Sequence, residues 1–127
     1  MTYEELDDYA HGLCLKLKTT GAKKIIITGL EHGKSELCVC GMDCDTGDFI
    51  VYTFDRVNRN YPGTGDLFAS VLLGAILTGE SFENAIKLSS NFTHKVMEHT
   101  NQFDSPVRDG VALEAFLGEL AKNTAEA

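Results

Sequence analysis

The densest run of potentially reactive residues is Tyr61-Pro62-Gly63-Thr64-Gly65-Asp66-Leu67-Phe68-Ala69-Ser70. Two glycines flank Thr64 and let the backbone approach a ligand closely. Leu67, Val71, Leu72, Ala75 and Ile76 then recur at three-to-four spacing, which predicts a helix that starts in this run and lasts until Gly79. The first amide N–H groups of a helix have no intrahelical partners and lie at the positive end of its dipole. Such an end favours phosphate, including the charge that builds on a phosphoryl group in transfer. A carboxylate beside phosphate is repelled, so Asp66 needs a task there, and accepting the proton of an attacking hydroxyl is one. A purely structural reading stands beside it: Asp in a first helical turn favours the dipole, Thr64 can cap, and Gly-x-Gly occurs in many loops. Neither G-x-x-x-x-G-K-[ST] nor a complete G-x-G-x-x-G is present.

Other chemistry is sparse. Cys38-x-Cys40-x₃-Cys44 has a metal-like look, but structural zinc sites use C-x₂₋₄-C knuckles paired with a second Cys or His pair. On a strand Cys38 and Cys40 share one face, where small thiols suit a core, so no metal site is assigned. Asp43-x-Asp45 does not continue into a calcium loop, because Gly47, Asp48 and Phe54 stand where ligands and the turn glycine belong. His11, His32, His94 and His99 pair with no cysteine or serine at catalytic spacing. Asp55, Arg56 and Arg59 read as solvated loop charges, with phosphate neutralisation as the alternative.

The elements that must carry these residues are readable in outline. Thr2 with Glu5 is a capping-box pattern, and Leu6, Tyr9, Ala10, Leu13, Leu15 and Leu17 give a broad apolar helix surface ending near Gly21. Ile25 to Gly29 is a β-branched run of the kind buried on both faces inside parallel sheets. Glu36–Asp43 and Phe49–Phe54 flank the turn residues Asp45-Thr-Gly-Asp48 and predict an antiparallel hairpin. The helix after Gly65 has almost no charge beyond Asp66 and is expected to be covered on several sides. Ser81 caps a second helix with Phe82, Ala85, Ile86, Phe92, Val96 and Met97, and a loop through Pro106 leads to a last helix with Val111, Leu113, Phe116, Leu117 and Leu120.

With 127 residues, 43% hydrophobic and 24% charged, the chain has the composition of one soluble domain. Eleven basic against nineteen acidic residues give a net charge of −8, which argues against nucleic acid and anionic membranes as partners. No run reaches the roughly 18 apolar residues of a spanning helix, and the acidic N-terminus is unlike a secretory signal, so a cytoplasmic protein with reduced thiols is expected.

Gly63-Thr64-Gly65-Asp66, entering a long apolar helix after a β-rich run, resembles the anion-hole and catalytic-base motif of the ribokinase-like superfamily. With Leu67-Phe68-Ala69 following, it looks most like the pyridoxal (pyridoxine, pyridoxamine) kinases. The order strand, hairpin, Gly-Thr-Gly-Asp helix, Ser81 helix and closing Asp109-Gly-Val-Ala-Leu-Glu-Ala-Phe helix resembles the C-terminal half of these kinases along essentially all of residues 1–127. The implied fold is an α/β ribokinase-like fragment, a short, partly parallel sheet with a β-hairpin and packed helices.

The resemblance also implies an activity: phosphorylation of the 5′-hydroxymethyl group of a vitamin B6 vitamer by Mg-ATP. Asp66 would be the base, and Gly63, Thr64 and Gly65 would hold the γ-phosphoryl through backbone N–H groups. Thr28 falls where the family places a polar residue near the ATP phosphates, and Val57, Tyr61 and Met97 fall near the adenine. Core packing is the competing reading for Val57, Tyr61 and Met97. The kinases are about twice as long, their missing half carries most central strands and the vitamer pocket, and the isolated chain is expected to be weakly active or inactive. Uncovered edges and helix faces imply a homodimer or other association. The alternatives are a hydroxymethylpyrimidine-type kinase of the same superfamily and a non-catalytic nucleotide-binding or dimerisation fragment.

Overall fold

The computed structural model describes residues 2–56, 63–102 and 118–120. They belong to two compact units, Met1–Arg56 and Val57–Ala127.

The first unit opens with α1, Tyr3–Lys18. Its capping box is formed: the Glu5 N–H donates to Thr2 Oγ1 at 3.1 Å, and the Thr2 N–H donates to Glu5 Oε2 at 2.9 Å. Glu4 and Glu5 in the first turn and Lys16 and Lys18 in the last complement the helix dipole. Leu6, Ala10 and Cys14, four residues apart, are buried on one stripe. Tyr9, Leu15 and Leu17 are exposed, so the buried face is narrower than the apolar composition suggests.

Three strands follow, β1 (Lys24–His32), β2 (Glu36–Asp43) and β3 (Phe49–Asp55), in the order β1-β2-β3. The expected hairpin joins β2 to β3. Asp43 Oδ1 accepts the N–H groups of Asp45 at 3.0 Å and Thr46 at 3.4 Å, and Gly47 supplies the positive φ of 81° that the turn requires. By strand alternation Ile25, Ile27, Cys38, Cys40, Met42, Phe49 and Val51 share a face, and the core joins all of these but Cys38 to Ala10 and Cys14 of α1. Leu37, Val39, Ile50, Tyr52 and Phe54 take the other face, so the sheet is apolar on both sides.

The α/β class, the hairpin and the packed helices are as expected, but the described sheet is antiparallel throughout rather than partly parallel. A run of β-branched residues reports burial, not direction. Only Gly33-Lys34-Ser35 separate β1 from β2, and a connection that short permits antiparallel pairing alone. Nor is β1 buried on both faces: Ile25 is buried, Ile26 and Ile27 are half-buried, and Thr28 and Gly29 are exposed. Between Ile27↔Cys40 and Leu30↔Cys38 the register shifts, because β1 uses one residue more than β2 over this stretch.

The second unit contains α2 (Thr64–Leu77) and α3 (Phe82–Asn101), which pack on each other. Ser81 caps α3 as expected, its Oγ accepting the Asn84 N–H at 3.1 Å. Val71 of α2 joins Phe92 and Val96 of α3 in a core flanked by Leu67, Leu88 and Leu120. The expectation that α2 is covered on several sides fails. Phe68, Val71 and Ala75 are buried, but Leu73 is 59% and Leu77 76% exposed, leaving a bare apolar stripe at i, i+4. Residues 118–120 are helical, in agreement with a final helix at Leu120. The Pro106 loop and the positions Val111, Leu113, Phe116 and Leu117 lie outside the described residues. No helix among the described residues is long and apolar enough to cross a membrane.

Candidate functional site

Gly63 is the N-cap of α2 and adopts φ 86°, ψ −2°, a left-handed conformation that favours glycine. No side chain caps this end. The helix ladder starts with the Leu67 N–H donating to the Gly63 carbonyl at 2.9 Å. The N–H groups of Gly65 and Asp66 come before that bond and have no acceptor among the described residues. A Cβ built at Gly65 meets nothing within 4 Å. Glycine at 65 is therefore not demanded by packing, although in a helix it costs about 1 kcal/mol relative to alanine. What it leaves is open backbone beside free donors, an arrangement that suits an oxyanion.

Asp66 stands in the first turn with its side chain exposed. Its backbone carbonyl accepts the Ser70 hydroxyl at 2.8 Å, one turn along. The carboxylate shares the first turn with these N–H groups, and no cation or donor among the described residues is committed to it. The capping role open to Thr64 in the sequence is not taken, because the N-cap position falls on Gly63.

The chain brings Gly63, Thr64, Gly65 and Asp66 into one helical turn, and Met97 lies half-buried on α3 of the same unit. Thr28 belongs to the other unit, exposed at the irregular stretch of β1. Val57 and Tyr61 lie outside the described residues, as does Arg59. Arg56 is committed locally: its guanidinium donates to Glu31 Oε1 at 3.1 Å and its N–H to the Ser35 carbonyl at 2.9 Å. A shallow depression lined by Leu88, Asn91, Phe92, Lys95 and Glu119 includes none of the motif residues. No group of three or more His, Cys, Asp or Glu side chains that could hold a metal ion occurs among the described residues.

One polar cluster was not foreseen. The Tyr3 hydroxyl donates to Glu36 Oε1 at 2.5 Å, its ring stacks on His32 with centroids 4.1 Å apart, and His32 Nδ1 lies 3.3 Å from the same carboxylate oxygen. The Tyr3 bond, then His32, hold the Glu36 carboxyl below the ordinary carboxylate value, and that same bond pushes the Tyr3 phenol up. The signal was in the sequence: three turn residues between His32 and Glu36 make a tight hairpin, whose flanking side chains must meet.

Solved structures that share this fold include proteins named as kinases. The chain superposes with a TM-score of 0.81 on a Bacteroides thetaiotaomicron protein assigned as a phosphomethylpyrimidine kinase, with 27% identity over 95% of this chain and 40% of that one. A second crystal form under that assignment, with pyridoxal, also gives 0.81 and 27%, covering 95% of this chain and 42% of the other. Pyridoxal kinase from Lactobacillus plantarum shares the fold at a TM-score of 0.70 and 23% identity, over 84% of this chain and 38% of that one. The chain thus spans about two fifths of the length of the structures it matches. The fold is that of a pyridoxal kinase-like, ribokinase-type fragment. The family model for phosphomethylpyrimidine kinase matches residues 3–108, and the chain belongs to that family.

Proposed function

We propose that the chain carries the ATP site and the catalytic base of a kinase that phosphorylates the 5′-hydroxymethyl group of pyridoxal, pyridoxamine or pyridoxine in the cytoplasm. The observation that carries this reading is the uncapped start of α2, where free N–H groups and the Asp66 carboxylate occupy one turn. In the proposed reaction the substrate hydroxyl gives its proton to Asp66 and its oxygen attacks the γ-phosphorus in line as ADP leaves. The N–H groups of the Gly63-Thr64-Gly65 turn stabilise the charge on the transferring oxygens, and no covalent enzyme intermediate is needed. Mg²⁺ would arrive as the ATP complex. Thr28 is assigned to the phosphates, and Val57, Tyr61 and Met97 to the adenine. The pyridoxal present in one crystal form of a relative supports this choice of substrate. The vitamer pocket and most central strands would come from outside these residues, so the chain alone is expected to turn over weakly or not at all.

The family match favours a second reading, a hydroxymethylpyrimidine-type kinase. Both substrates present a hydroxymethyl group on an aromatic nitrogen heterocycle, so Asp66 would serve either. Comparing phosphorylation of pyridoxamine and hydroxymethylpyrimidine by the enzyme that contains these residues separates the two. A non-catalytic nucleotide-binding or dimerising fragment is the third outcome.

The first test is a calorimetric titration of the 127-residue chain with Mg-ATP. Saturable binding that weakens in Gly65→Val supports the phosphate site, and the same loss in Gly65→Ala, whose added Cβ meets nothing, would report on ligand rather than folding. Absence of binding in a folded chain would overturn a self-sufficient site.

A further inference from the structure

All four cysteines are free thiols, and three of them, Cys14, Cys38 and Cys40, are fully buried. Two of these three touch. Cys14 Sγ on α1 and Cys40 Sγ on β2 are 3.9 Å apart, although 26 positions separate them in sequence. Cys38 is equally buried and on the same face of β2 as Cys40, yet it has no such sulfur contact. Cys44, half-buried, packs against the same core from its edge. Sulfur chemistry inside this unit is therefore confined by geometry to one pair.

We propose that Cys14 and Cys40 form an intrachain disulfide under oxidation by hydrogen peroxide, covalently fastening α1 to the sheet. The sulfurs must approach by roughly 2 Å to reach bonding distance. One thiol sulfur attacks the peroxide O–O bond; an S–O bond forms, the O–O bond breaks, and water leaves. The second sulfur then attacks the first, the S–S bond forms, the S–O bond breaks, and a second water leaves. The two sulfurs give up two electrons, the peroxide accepts them, and both thiol protons end in water.

Burial sets the pace. It raises the Cys14 thiol, and it pushes Cys40 up to about 12, so little thiolate is present at neutral pH. Oxidation is correspondingly slow and proceeds through transient lifting of α1 from the sheet. Once closed, the bond is shielded from reductants by the same core, and it constrains a loop of 26 residues in the unfolded chain.

The test is prolonged incubation of the folded chain with hydrogen peroxide, followed by digestion without reductant and mass mapping. The expected product has lost two hydrogens, contains a Cys14–Cys40 cross-linked peptide, and melts roughly 5–15 °C higher, a gain that dithiothreitol reverses after unfolding. Cys44→Ser should give the same cross-link, since it lies outside the pair. Cys14→Ala should show no gain, and if that variant fails to fold, mapping of wild type and Cys44→Ser decides. Sulfinic acid without a cross-link, a bond to Cys38 or Cys44, a bond between chains, or a folded protein that takes up no oxidant would each overturn the proposal.

Discussion

Three helix starts among the described residues can be compared, and they are built in two ways. At α1 the Thr2–Glu5 box closes the exposed N–H groups, and at α3 the Ser81 hydroxyl takes the Asn84 N–H. At α2 a left-handed glycine occupies the cap position and nothing on a side chain closes the end. A side-chain cap adds about 1 kcal/mol over alanine but only a few tenths over glycine, so α2 forgoes a small gain that the same chain takes twice elsewhere while leaving its first N–H groups open. The open start is also the one that holds Gly65, where packing does not require a glycine, and Asp66. Departure from local stability and concentration of reactive groups thus coincide in a single turn, as expected where a ligand supplies the missing hydrogen-bond acceptors.

The comparison breaks most decisively at Asp66. In the enzyme that contains these residues, Asp66→Asn should bind Mg-ATP as before and lose roughly 10²–10⁴-fold in turnover; unchanged turnover in a steady-state assay would leave the carboxylate as no more than a dipole partner. Next in size, Gly65→Ala should weaken nucleotide binding while holding or raising the melting temperature, because alanine gains about 1 kcal/mol in helix propensity and its Cβ meets open space. Calorimetry paired with thermal melting reads both, and a loss of stability would assign this glycine to the fold instead. Ser81→Ala and Thr2→Ala should each lower stability by about 1 kcal/mol in denaturant titration, without altering nucleotide binding.

The smallest expected effect belongs to the Tyr3–Glu36 bond, the other place where a polar group is tuned. Glu36 titrates below its ordinary value in the folded chain, so its contribution is present above about pH 4.5 and is lost as pH falls through the lowered folded value. Tyr3 titrates above its ordinary value of 10.0, so its contribution is present below that pH and is lost as pH rises through the raised folded value. Glu36→Gln should flatten the acid limb of a stability profile followed by circular dichroism, and an unchanged limb would show that solvent screening cancels the bond.

Features encoded by neighbouring residues were legible in the sequence. The Thr2–Glu5 box, the Ser81 cap, the Asp45–Asp48 turn and the helix that begins at Gly-Thr-Gly-Asp each depend on residues a few positions apart, and each formed where the residues stand. Features set by distant packing were not. The β-branched run at Ile25 gave burial but not direction, which was decided by the short link to Glu36. The apolar content of α2 gave no hint that Leu73 and Leu77 would stay bare, since composition records how much can be buried and not which neighbour does the burying. The sulfur contact across 26 positions and the stacking of Tyr3 on His32 need the helix laid on the sheet before they exist.

The irregular stretch of β1 has a consequence for how this sheet could change by deletion. A chain lacking Gly29 would set Thr28 opposite Val39, keep Leu30 opposite Cys38, and remove a backbone with φ 75° from the middle of a strand. The ladder would become regular, with every flanking pair preserved. The extra residue thus bends β1 locally at Thr28 and Gly29, and removing it would straighten the strand without moving any flanking pair.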